Sequence, residues 1–220
     1  MTLHRFKEDG HPFPEMAAVT VICFGWFILN SIAAAMNGFP SGGDFNDASL
    51  WMIVLVECVL GGVALLYLRH RGHSIYQLLP TPSLQGSGVG ILIYIGAGFV
   101  AAVVGSMLSP SQLAEQPIAH MVEQSRPSML ALVALAMVNG LYEETFLAGY
   151  LLEGLRKHGI HVALGITTLV RLLYHLYQGP IGATSVTAYG LVVMLFYWRF
   201  RMLWPIVFAH TLADITAFIQ

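Results

Sequence analysis

Seven apolar stretches, most of them 17 residues or longer, fix what this chain can become. They fall at roughly 16–36, 50–68, 88–108, 127–155, 160–177, 182–198 and 202–219. A hydrocarbon core is about 30 Å thick and takes about 20 residues of helix to cross. Inside lipid each backbone N–H and C=O must be satisfied within its own segment, which selects helices over open strands. The sequence therefore predicts an all-α fold, a polytopic transmembrane bundle of about seven helices. Charged residues are only 10% of the chain, against about 25% in soluble domains. A net charge of −2 gives no basic excess for nucleic acid.

Turn-forming residues separate the stretches: GFPSGGDFND after the first, LLPTPSLQGSG before the third, YQGPIG between the fifth and sixth. The opening MTLHRFKEDGHPFPE is too polar for a cleavable signal peptide, so the first span is expected to be retained. Cys23 and Cys58 each sit in an apolar run, and no disulfide is expected. Basic residues alternate with the spans. Arg5, Lys7, Arg69, Arg71, Arg156, Lys157, Arg199 and Arg201 fall on one side, and Arg126 alone on the other. The positive-inside rule then places the N-terminus in the cytoplasm and the C-terminus outside. Paired glycines at 61–62, 88–90 and 96–98 are expected to let helices approach closely.

Against this background, the ionisable residues inside the spans stand out. Glu143, Glu144, Arg171, His175, His210 and Asp214 lie within the last four, and Glu57 within the second. A charge at the bilayer centre costs about 2.5–3.5 kcal/mol on the lenient insertion scale. Such residues are therefore expected to face one another or a wet cavity. Arg171 and His175 are four apart and share a helix face, as do His210 and Asp214, and as do Asn139 and Glu143. Glu144 sits about 100° around from Glu143. Three polar stripes that converge make a site. A carboxylate beside a histidine can deprotonate water, and a second histidine can stabilise an oxyanion. Glu57 on its own reads more simply as a structural residue, and Glu153 as a head-group partner of Arg156.

Three motifs carry a resemblance: EETFLAGYL from Glu143, RLLYH ending at His175, and HTLAD from His210 to Asp214. In this order, each on an apolar helix, they resemble the CAAX protease and bacteriocin-processing family, the Abi family of intramembrane endopeptidases. The resemblance covers about residues 127–219. It divides the chain into an N-terminal three-helix region (1–126) without a recognised motif and a four-helix core (127–220). It implies that Glu143 activates water with help from His175. It implies further that Glu144 supports the site and that His210 and Asp214 hold the oxyanion. The family's arginine, expected shortly after the glutamates, is Ala148 here. Arg171 is the expected substitute for that guanidinium, paired with Glu144 or Glu143, while Glu57 competes for it.

The function so implied is hydrolysis of a peptide bond in a membrane-associated or lipid-anchored substrate. The partners implied are the lipid bilayer and a peptide or protein, lipid-modified ones included, and the place is a bacterial plasma membrane. No cofactor is expected and no metal ligand is assigned. Zinc is the alternative, because two histidines and several carboxylates can ligate it, although HExxH is absent. A non-catalytic immunity protein or a proton-linked transporter is the other alternative.

Overall fold

The computed structural model describes residues 12–39, 45–108, 117–123 and 127–218. Arg5, Lys7 and Arg126 of the charge pattern lie outside the described residues. Each of the seven apolar stretches is helical. The helices are α1 (Phe13–Met36), α2 (Asp47–His70), α3 (Leu84–Met107), the short α4 (Pro117–Glu123) and α5 (Met129–Glu144). A π-helical segment (Thr145–Leu152) prolongs α5 into α6 (Glu153–Leu155), and α7 (Ile160–His175), α8 (Gly179–Phe200) and α9 (Leu203–Ala217) follow. The sequence reading did not foresee α4.

Polar caps begin several of these helices at the edges of the apolar runs. Asn46 accepts from the Ser49 N–H at 3.0 Å, Ser83 from Gly86 at 3.0 Å and Ser128 from Ala131 at 3.2 Å. Each satisfies a backbone donor that the first helical turn leaves unpaired. Pro12 precedes α1, and Pro180 sits in the first turn of α8, where a missing N–H costs nothing.

By length and composition, five helices among the described residues can cross a membrane. One of them is the 41-residue run Ile160–Phe200, about 60 Å if it were straight and so twice the hydrocarbon thickness. It is not one crossing. Gly179 has φ +87° and turns the chain back, so that Gly190 of α8 lies against the side chain of Arg171 on α7. The 15-residue α9 spans about 22 Å, less than a full crossing.

Side-chain contacts fix the alternation of the bundle. At one end, Glu15 at the start of α1 meets Arg71 and His73 after α2 at 3.1 and 2.8 Å. Arg156 donates to the Trp198 carbonyl of α8 at 2.6 Å, Arg201 pairs with Glu153 at 2.9 Å, and Trp204 of α9 donates to Ser87 of α3 at 3.0 Å. At the other end, the Ser128 N–H before α5 donates to Asp47 of α2 at 2.6 Å, and Tyr177 after α7 donates to Ser31 of α1 at 2.9 Å. Successive spans therefore run in opposite directions. Every described lysine and arginine except Arg171 falls at the first end.

Close approach depends on two of the expected glycines, Gly61 and Gly90, and on others that were not expected. Cβ atoms at Gly62, Gly88, Gly96 and Gly98 would meet nothing within 4 Å. At Gly90 a Cβ would lie 2.7 Å from the Pro205 carbonyl, and at Gly140 it would lie 2.9 Å from the Thr211 hydroxyl. These two glycines hold α3 and α5 tight against α9. Cys23 and Cys58 are both free.

Gly90→Val is expected to force α3 off α9 and cost about 1–3 kcal/mol, as overpacked cores do. Gly88→Val, two residues away and facing open space, is expected to leave stability unchanged. Thermal unfolding of the two variants in detergent checks the pair.

Candidate active site

Glu143 and Glu144 end the regular part of α5, and the π-helical segment begins with the next residue. Wide π turns inside helices are frequent at functional sites. Here both glutamates turn inward although they are adjacent: Glu144 is fully buried and Glu143 is 5% exposed. Each finds a different partner.

Glu144 is the hub. Its Oε1 accepts from Arg171 Nη2 on α7 at 2.7 Å and from His210 Nδ1 on α9 at 2.7 Å. Three helices are thereby joined through one oxygen. Arg171 also places Nη1 3.5 Å from Glu143 Oε2. The guanidinium is 1% exposed, and Gly190 makes room for it: a Cβ there would fall on Arg171 Cδ and Nε. The intramembrane arginine is thus paired with both glutamates. The competing partner, Glu57, is not among its contacts.

Glu143 is held on the cavity side of this hub. Tyr174 donates its hydroxyl to Glu143 Oε2, and His210 Nε2 lies 3.8 Å from the same oxygen. Since Nδ1 of His210 serves Glu144, Nε2 is the nitrogen turned towards Glu143 and towards Asp214, whose Oδ1 is 3.6 Å away. Asn139 on α5 donates to Asp214 Oδ2 at 2.8 Å and fixes that carboxylate in turn. Six of the seven residues named from the sequence therefore form one connected group.

The seventh, His175, is set apart. Its Nδ1 donates to the Arg171 carbonyl at 3.0 Å, and no hydrogen bond joins it to Glu143 or His210 among the described residues. It ends α7, so it lies one position beyond Tyr174, the residue that reaches Glu143. With Nδ1 spent on a carbonyl, Nε2 carries the free lone pair. That ring, 7% exposed, forms part of the wall of a cavity of about 570 Å³ that also touches Glu143, Arg171, His210 and Asp214.

The cavity wall is otherwise mostly apolar and aromatic, with Phe24, Phe27, Tyr142 and Val186 among its residues. Among the described lining residues, Glu57 Oε2 and the Tyr189 hydroxyl have no hydrogen-bond partner, and neither do Nε and Nη1 of Arg171, which faces the two glutamates. Glu57 is thus placed at the site, although it is remote in sequence from the motifs. Tyr174 and Gly190 also escaped sequence reasoning. Tyr174 was visible only as a letter inside RLLYH. Gly190 had no signal until the position of Arg171 was known.

Glu143, Glu144 and His210 could offer ligand atoms that all lie within 4.8 Å of one another. Part of this donor set is already engaged. Glu144 Oε1 already accepts two short hydrogen bonds, His210 Nδ1 is engaged as a donor, and a permanently charged guanidinium sits among the carboxylates. The group is built around a cation that the chain itself supplies.

Removing that cation leaves two buried carboxylates facing each other. Arg171→Met is expected to cost about 3–5 kcal/mol, the usual effect of breaking a buried pair. Adding Glu144→Gln is expected to restore part of the loss. Gly190→Ala, which pushes on the guanidinium from α8, is expected to lower stability in the same direction by about 1–3 kcal/mol. Unfolding measurements on the three variants and the wild type in detergent check the coupling.

Residues 125–216 match the family model described as type II CAAX prenyl endopeptidase Rce1-like. No curated protein and no solved structure matches the chain. The matched segment contains α5, α7, α8 and α9 with every residue of the Glu144-centred group. Through that segment, under half of its length, this integral membrane chain is similar to the CAAX prenyl endopeptidases of that family model.

Proposed function

We propose that the chain is an intramembrane endopeptidase that hydrolyses a peptide bond with water activated by Glu143, without a metal ion. The observation that carries this reading is the setting of Glu143. It is a carboxylate at the inner end of an apolar cavity, oriented by Tyr174 and Arg171 and facing His210 Nε2 across 3.8 Å.

In this reading a water molecule in the cavity gives a proton to Glu143 as its oxygen attacks the scissile carbonyl carbon. His175 accepts a second hydrogen bond from that water through Nε2. The carbonyl oxygen becomes an oxyanion, and His210, protonated on both nitrogens, donates to it from Nε2 while Nδ1 stays with Glu144. Asp214, held by Asn139, steadies the imidazolium. When the C–N bond breaks, the leaving nitrogen takes the proton from Glu143, and a carboxylic acid and an amine leave the site. Glu144 touches no reacting atom. It aims His210 and carries the charge of Arg171.

The unpaired Glu57 carboxylate oxygen and Tyr189 hydroxyl support a peptide as the occupant. A peptide brings backbone donors and acceptors that can pair with both, while its side chains, or an attached lipid chain, meet apolar walls. Burying a polar group without a partner is costly, and a bound peptide removes that cost.

The test compares peptide termini, by mass spectrometry, in membranes containing the wild-type chain and in membranes containing Glu143→Gln. A set of termini present with the wild type and absent with the variant is expected, with cleavage reduced by about 10²-fold or more, the range for loss of a general base. His175→Ala is expected to reduce the same cleavages. Strong chelators are expected to leave them unchanged. Identical termini in both membranes, with both proteins folded, would overturn the reading.

A further inference from the structure

We propose that peptide substrates reach Glu143 from the non-cytoplasmic face of the membrane. The substrates would then be chain segments presented on that face, rather than C-termini in the cytoplasm. The inference rests on the peptidase reading for the word substrate. The direction of access stands on the course of the cavity and the distribution of charge, independently of that reading.

Two observations meet. The first is the course of the cavity. Along each crossing helix, the residues that touch it run from the level of Glu143 towards one end of the bundle only. On α1 they are residues 24–27, short of the Met36 end, and on α5 they lie between Leu135 and Glu143, towards the Met129 end. On α7 they run from Arg171 past its last residue to Gln178, and on α9 from His210 past its end to Phe218. On α2 and α8 they lie in the first halves, ending at Glu57 and Tyr189. Phe45 and the Ile118, Met121 and Val122 side chains of α4 line it at its outer part.

Towards the opposite end no described residue lines it. About 16 Å of α7, from Arg171 back to Ile160, lies on that side. The space between the helices is packed there: Tyr150, Leu152 and Leu155 are each 1% exposed. It is also closed by ion pairs. Glu15, 3% exposed, is shared by Arg71, His73 and Tyr150, and Glu153 is shared by Arg156 and Arg201.

The second observation is the charge. The closed end is the one that collects Arg69, Arg71, Arg156, Lys157, Arg199 and Arg201. Lysines and arginines in short loops next to spans stay in the cytoplasm. The closed end is therefore cytoplasmic, and the open end, with the C-terminus of α9, faces away from it.

Cysteine labelling tests this without turnover. The background is Cys58→Ser, with Cys23 kept because it is fully buried. Ala217→Cys marks the rim and Ala213→Cys the wall one turn deeper, since both residues line the cavity. Lys157→Cys marks the closed end, where that residue is exposed. A membrane-impermeant maleimide is applied to right-side-out and to inverted vesicles. The rim and wall cysteines are expected to react in right-side-out vesicles and to lose that reaction in inverted ones, with Lys157→Cys showing the reverse. Reaction of the rim or wall cysteines from the same side as Lys157→Cys would overturn the proposed cavity course. Reversal of all three would overturn the orientation, and no labelling of rim or wall from outside, with Lys157→Cys behaving as expected, would overturn access from that face. Failure of the peptidase reading shows instead as unchanged termini in the Glu143→Gln comparison, with the labelling pattern intact.

Discussion

One carboxylate oxygen, Glu144 Oε1, holds the site together. It takes hydrogen bonds from Arg171 and His210 at the same distance, 2.7 Å, from two different helices. In lipid neither an isolated guanidinium nor an isolated carboxylate is tolerable, so each enforces the position of the other. That constraint is geometric as well as electrostatic. It sets the rotation of α7 and α9 about their axes, and so it decides that Tyr174 and Asp214 face Glu143 and the cavity. Glu144 is fully buried and off the cavity wall, which suits a residue that aims others.

The arginine shows how a family pattern can be kept by other means. Where the family places arginine on the glutamate helix, this chain has Ala148, fully buried. The positive charge comes instead from Arg171 on α7, four residues before His175. The exchange needs a matching gap on α8, and Gly190 provides it. A long cation from a neighbouring helix thus replaces one from the same helix, and the cost appears as a loss of side-chain volume at a third place.

Much of this was legible in the sequence, for definite reasons. Length and apolarity announce a membrane helix, so all seven runs are helical. Spacings of four residues announce a shared face, so His210–Asp214 and Asn139–Glu143 are correctly grouped. The cost of burying a lone charge announced that Arg171 must have a partner. Relations between helices were not legible. Which glycines are contacts depends on helix rotation: Gly61 and Gly90 of the conspicuous set meet neighbours, Gly62, Gly88, Gly96 and Gly98 meet nothing within 4 Å, and Gly140 and Gly190, outside that set, are also close contacts. Depth was equally hidden. Because α7 ends at His175 while His210 sits inside α9, it is Tyr174 that reaches Glu143, and His175 stays on the cavity wall. The half-length α4 carries too few residues to announce itself.

The π-helical segment after Glu144 bears on how this chain can vary in length. Its turns hold more residues than α-helical ones, so the stretch Thr145–Leu152 stores an offset between two halves of a continuous rod. The half before it aims the glutamates, and the half after it aims Glu153 at Arg156 and Arg201. Deleting one residue without a compensating change of winding would rotate one half against the other by up to about 100°. Either the glutamates or the ion pairs of Glu153 would then face the wrong way. Chain length between residues 144 and 153 is therefore tied to the winding of the stretch by two separate electrostatic fittings, although no side chain within it belongs to either.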